Sequence, residues 1–141
     1  MMRSLFPPSS EAALLAALKL LDRLDPSFAA RLRLPVSTVS IVIKDGVPHR
    51  LLGRGSLPLT MAPSEIQAAL SALPSEGPLL IFGIGTGELL VEALKKYPER
   101  QIAAWTRDPL EWRLVLSRHN LQKALSSRRL TPVLEIGRAH V

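Results

Sequence analysis

The chain has 141 residues, 47% of them hydrophobic and 21% charged, a balance that suits one soluble globular domain with a real core and excludes a disordered chain. It contains no cysteine, which excludes a disulfide framework and a thiolate metal site and fits a reducing, cytoplasmic setting. The net charge is +6, spread so thinly that Lys95-Lys96 and Arg128-Arg129 are the only adjacent basic pairs. Such a chain attracts anions in general. With a single tyrosine and few other aromatics it lacks a stacking platform, which argues against nucleic acid as a partner.

The N-terminal apolar stretch from Ala12 to Leu21 is interrupted by Lys19 and preceded by Pro7, Pro8 and Glu11. No small-residue cleavage site follows it, so an amphipathic helix explains it better than a signal peptide. No stretch approaches the ~20 apolar residues of a membrane span. Ser10 is expected to cap this first helix, which runs to about Leu24 with Leu14, Leu18 and Leu21 on one face. Asp25-Pro26 stops it, and Phe28 to Leu34 allows another helical turn before Pro35.

The period then changes. Val39, Ile41 and Ile43 alternate with their neighbours, and Asp45-Gly46 supplies a tight turn, so Thr38–Leu52 reads as a β-hairpin. Pro48 predicts that the returning strand is an edge strand or a short one. Gly53 to Thr60 reads as a loop. Ser64 is expected to cap a helix over Glu65–Leu73 that places Ile66, Ala69, Leu70 and Leu73 on one face. The chain thus divides into a helical segment (1–35), a hairpin-plus-helix extension (36–77) and a wound region (78–135).

The wound region carries the strongest signal. Leu79–Phe82 is an apolar strand that enters the turn Gly83-Ile84-Gly85-Thr86-Gly87, and a helix follows to Lys96 with Leu90, Val91 and Leu94 inward. Tyr97-Pro98 ends that helix. A second strand spans Gln101–Trp105. Asp108 caps the next helix with Pro109 at its first position, and the periodicity carries it to near Leu125. A third strand begins at Leu130. Strands alternating with helices predict an α/β fold, an incomplete Rossmann-like βαβαβ parallel sheet preceded by a helix and a β-hairpin.

A glycine turn between strand and helix lets backbone approach a ligand and aims helix N–H groups at it. The candidate ligand contacts are Gly83, Gly85, Thr86 and Gly87, with Thr106 and Arg107 at the end of the second strand. The G-x-G-x-G spacing matches the first motif of Rossmann-type methyltransferases better than the dinucleotide fingerprint. Two acids usual in that motif are absent: Ile81 stands two residues before the first glycine, and Thr106 stands at the ribose position. A turn needed only for tight packing is the competing reading. Glu88 suits the helix dipole and repels a phosphate at this turn. Arg107 is either an anion contact or a surface arginine. His119 reads as solvated or capping, His49 has no partner in sequence, and Glu111 is one of several carboxylates at helix starts or polar faces. No H-E-x-x-H, G-x-S-x-G or Walker loop occurs.

From Leu79 to Leu134 the sequence resembles the N-terminal Rossmann-like region of bacterial CgeB-like, spore-protein-type glycosyltransferases. The resemblance rests on Gly83-Ile84-Gly85-Thr86-Gly87, Trp105-Thr106-Arg107-Asp108-Pro109, Trp112-Arg113-Leu114 and Ser127-Arg128-Arg129-Leu130. The same pattern is similar to the region before the catalytic part of motility-associated, flagellin-modifying transferases. Thr106, where an acid is common, and Arg128, where a glycine is common, depart from it. The resemblance implies transfer of a sugar from a nucleotide-sugar donor to an acceptor, with the donor site in a later Rossmann domain. This chain would then lack C-terminal domains, be inactive alone, and expose a strand edge and apolar surface. A methyltransferase-like domain using S-adenosyl-methionine (SAM), or a non-catalytic binding domain, is the alternative. The last residues, Ile136 to Val141, have neither apolar periodicity nor a helix cap. Back-translated as ATC-GGA-AGA-GCA-CAC-GTC, they resemble the start of a sequencing adapter and are expected to be read-through.

Overall fold

Parallel pairing organises the C-terminal half of the molecule. The computed structural model describes residues 8–34, 40–52 and 55–134, so Glu135 and the tail Ile136 to Val141 lie outside the described residues. Strands β4 (Leu79–Phe82), β5 (Ile102–Thr106) and β6 (Leu130–Leu134) form a three-stranded parallel sheet in the order β4-β5-β6. Leu79 lies opposite Ile102, and Ile102 opposite Leu130. Helix α4 (Glu88–Lys96) links β4 to β5, and helices α5 (Pro109–Arg118) and α6 (Gln122–Ser126) link β5 to β6. This is the expected βαβαβ unit of a partial Rossmann-like fold.

Both crossovers step in the same direction across the sheet. Right-handed connections then place their helices on the same face. Burial agrees. Leu79, Ile81, Ile102, Ala104, Leu130 and Leu134 share one core with Leu90, Ala93, Val115 and Leu125. The alternate residues turn the other way: Leu80 is 54% exposed, Phe82 65% and Val133 37%. On that open face the Phe82 ring meets the Trp105 ring edge-on at 5.3 Å. A parallel sheet is ordinarily covered on both faces, and an apolar run such as Leu79–Phe82 is what such coverage selects. Here one face is covered, and β4 has no strand on its outer edge among the described residues.

The N-terminal helices pack against α5 and α6. Helix α1 (Pro8–Leu24) contributes Ala17, Leu18 and Leu21 to the core, and α2 (Pro26–Arg33) contributes Phe28, Ala29 and Leu32. Phe28 meets Trp112 of α5 edge-on at 5.6 Å. Asp25 ends α1 and caps α2, accepting from the Phe28 N–H at 3.1 Å. Arg113 of α5 donates to the carbonyls of Leu32 and Leu34, both at 2.5 Å, and so closes the far end of α2.

Several boundaries differ from the sequence reading for identifiable reasons. Helix α1 starts at Pro8, so Ser10 lies in its first turn and not at its cap; proline is tolerated there because its missing N–H has no partner to lose. The hairpin of β1 (Ile41–Lys44) and β2 (Val47–Leu52) has a third strand, β3 (Gly55–Pro58), where a loop was expected. Its Gly and Pro ends hide it from a propensity reading. Strand β2 is therefore central and six residues long, so neither reading of Pro48, an edge strand or a short one, describes it. The Pro48 carbonyl accepts from Leu59 at 2.9 Å, so the missing N–H falls just past the last paired β3 residue, Pro58. Helix α3 (Pro63–Ala72) begins at Pro63, and Ser64 is not its cap. Glu65 instead reaches back to the Ala62 N–H at 2.8 Å. The helix expected to run to Leu125 breaks at His119, whose backbone is extended, and α6 starts afresh after Leu121.

The open sheet face has a direct consequence in solution. The chain alone should run above its monomer mass of 15.4 kDa in size-exclusion chromatography with light scattering. Replacing Leu80 and Phe82 together by lysine should return it to a monomer, because both side chains are exposed and their loss removes the sticky surface but no core. A monomeric unmodified chain would contradict this.

Candidate functional site

The glycine turn joins β4 to α4 through three left-handed positions: φ is 77° at Gly83, 53° at Gly85 and 92° at Gly87. Only glycine occupies that region without strain. The Gly83 N–H still belongs to the sheet, donating to the Trp105 carbonyl at 2.7 Å. The next two amides leave the sheet and converge on one acceptor. Ile84 N–H and Gly85 N–H donate at 3.0 and 2.8 Å to Oε1 of Glu111.

Glu111 stands third in α5, after the cap Asp108, and is 5% exposed. Its other oxygen, Oε2, accepts from the Thr106 hydroxyl at 3.1 Å and pairs with Nη2 of Arg50 from β2. The other guanidinium nitrogen of Arg50 reaches Asp108 Oδ2 at 2.8 Å, an oxygen that also accepts from Ser40 at 2.6 Å. Asp108 Oδ1 caps α5 through the Leu110 N–H at 2.9 Å, as expected from its position before Pro109. Thr106 completes the ring by accepting from the Asp108 N–H at 3.2 Å. Two carboxylates thus face one guanidinium, two turn amides and a helix N-terminus, and each donor lowers the cost of burying their charge.

Successive amides in such a turn form an anion-binding concavity. Here the anion is the protein's own carboxylate. A second close approach covers the turn from the small sheet: a Cβ added at Gly85 would lie 2.7 Å from the Leu59 carbonyl oxygen. On the far side, a Cβ at Gly87 would meet the His119 ring at 2.8 Å. His119 donates from Nε2 to the Thr86 carbonyl at 2.8 Å, so the histidine that ends α5 is tied to the turn.

The sequence candidates therefore have different surroundings. Gly85 and Thr106 are brought together through Glu111. Thr86 is fully buried and its hydroxyl bonds Glu88. Gly87 is packed beneath His119, Gly83 is exposed, and Arg107 is exposed just past the end of β5. The sequence reading missed Arg50 and the inward role of Glu111. Asp-Pro-Leu-Glu reads as a capping box, whose acid turns back to its own helix start, so the pattern points away from the inward role that Glu111 takes. Nothing near Arg50 announced a partner 61 residues away. Burial pulls the Arg113 guanidinium below its ordinary pKa while Asp108 works the other way, and it remains a cation at neutral pH. Among the described residues, no cluster of three or more His, Asp or Glu could hold a metal ion, and no helix is long and apolar enough to cross a membrane.

No protein-family model matches the chain, and no curated protein matches it significantly. Among solved structures, the chain is similar to the MAf glycosyltransferase from Magnetospirillum magneticum AMB-1, with a TM-score of 0.62 at 18% identity. The match covers 90% of this chain and 28% of that one, so the chain spans little more than a quarter of that structure's length. At this identity the likeness is one of fold.

The internal carboxylate makes the stability of the turn measurable. In the sheet-face double variant, Glu111→Gln should lose about 2–3 kcal/mol by urea unfolding, because an amide –NH2 would face Arg50 and Thr106 donors. Gly83→Ala should lose about 1 kcal/mol from its backbone alone. Gly85→Ala should lose more, because its Cβ also strikes the Leu59 carbonyl. Equal losses at the two glycines, or a neutral Glu111→Gln, would contradict this geometry.

Proposed function

We propose that this chain is the wound front domain of a sugar-transferring enzyme, and that a nucleotide-sugar donor binds in a further domain of the same protein. The observation that carries this reading is the fold likeness to a glycosyltransferase over 90% of the chain. It joins the separate resemblance of Leu79 to Leu134 to the front region of CgeB-like and motility-associated transferases.

The strand ends support a positioning role for this domain. Sugar transfer needs a group to stabilise the departing nucleotide and a base for the acceptor hydroxyl. Asp108 and Glu111, the carboxylates at the β5 end, are both committed to Arg50. A donor phosphate over the glycine turn would have to displace Glu111 from the Ile84 and Gly85 amides. The same occupancy weighs against SAM at this turn. The open β4 edge and the face bearing Leu80, Phe82 and Val133 suit further wound structure packed beside this domain.

The test uses the complete gene from the source genome. Its product should transfer labelled sugar from a nucleotide-sugar donor, or release the nucleoside diphosphate, while the 141-residue chain alone shows no turnover. A complete product that neither transfers nor hydrolyses nucleotide sugars, or one that transfers a methyl group from SAM, would overturn the proposal.

A further inference from the structure

A second polar feature lies away from the glycine turn. Helices α4 and α6, the Pro98 turn and the approach to β6 enclose a groove of about 470 Å³. Its charged lining has one sign: Lys95, Lys123 and Arg129 line it, and among the described residues no Asp or Glu does. Three cations around one groove repel one another, and an anion between them removes that repulsion.

Arg129 is fixed in place. Its Nη2 donates to the carbonyls of Leu94 and Tyr97 at 2.9 and 2.7 Å, at the end of α4. Its Nε–H is buried and finds no acceptor in the protein. That N–H is too deeply covered for a ligand to reach, so what Arg129 brings to the groove is its positive charge. Asn120 also lines the groove, and its Oδ1 is taken by the Gln122 N–H at 3.1 Å, which leaves the –NH2 as the donor on offer. Lys95 has a carboxylate neighbour outside the groove, Glu92 at 3.6 Å. That pair is exposed and weak enough to be exchanged for a ligand.

We propose that this groove binds the phosphate or pyrophosphate group of a small organic phosphate ester. The cations and the Asn120 amide supply donors and no competing acceptor charge. Leu94 and Leu121 supply an apolar wall for the organic part. The volume lies in the range of small-ligand pockets, roughly 300–1,000 Å³. A polynucleotide is a poorer fit, because among the described residues no aromatic side chain lines the groove to stack a base. The proposal stands apart from the transferase reading, since binding here requires no sugar transfer.

Isothermal titration of the full chain with pyrophosphate and with uridine diphosphate, at physiological ionic strength, tests it. Both ligands should bind saturably at one site. Lys123→Gln should weaken binding about tenfold, the loss of one charge-assisted hydrogen bond. Lys95→Gln should act in the same direction. Lys96→Gln should leave affinity unchanged, because Lys96 lies over the Tyr97 ring and does not line the groove. Lys123 is exposed, so circular dichroism should show the fold intact in its variant. Absence of saturable binding would overturn the proposal. So would an equal loss in Lys96→Gln and Lys123→Gln, which would reveal diffuse attraction to a basic surface.

Discussion

The structure turns on one buried carboxylate. Glu111 begins on helix α5, accepts two amides from the β4–α4 turn, one hydroxyl from the end of β5, and the guanidinium of Arg50 from the small sheet. Four elements meet on two oxygens, two of them from far along the chain. A carboxylate this buried is tolerable only when its lone pairs are all engaged, and a missing partner leaves charge stranded in low dielectric. Arg50 carries the tie onward to Asp108, so the same guanidinium secures both the cap of α5 and the turn before α4. The antiparallel sheet is thereby held over the C-terminal ends of the parallel strands. In an open wound sheet that crevice is the usual place for a ligand.

This arrangement changes what the glycines are for. Their left-handed backbone is required by the turn itself, and Gly85 also makes room for the Leu59 carbonyl. The demands of a phosphate cradle and of a tight internal clasp on a sequence are nearly the same: small residues, free amides, a helix start. What separates them is the identity of the anion, and here Glu111 supplies it. Polar chemistry with room for a ligand instead gathers between α4 and α6, around a rigid Arg129. Among the described residues the sheet's other face is apolar and uncovered, with Leu80, Phe82 and Val133 exposed.

The wound region was legible because its rules are local. Leu79–Phe82 forms a strand with the expected bounds, and the Asp108-Pro109 start of α5 holds as read. Periodicity and cap chemistry act within a few residues, and a parallel sheet follows from their order. The N-terminal half was less legible. Strand β3 is short, with Gly55 at one end and Pro58 at the other, and it exists because β2 offers a free edge. Pro48 sits in a central strand because its neighbour runs out at the right residue, a fact of register that composition does not carry. The candidate site was half legible. The turn, Thr106 and the Asp108 cap were visible, whereas the carboxylate that fills the turn and the arginine that neutralises it depend on contacts between segments 26 to 61 residues apart.

A double-mutant cycle on Arg50 and Glu111 measures the central interaction most directly. Arg50→Gln, Glu111→Gln and the pair together should be compared by chemical unfolding. The buried clasp predicts a coupling of about 1–3 kcal/mol, with the double variant losing much less than the sum of the singles. Strict additivity of the two losses would show that the carboxylate and the guanidinium do not depend on one another, and would contradict the account.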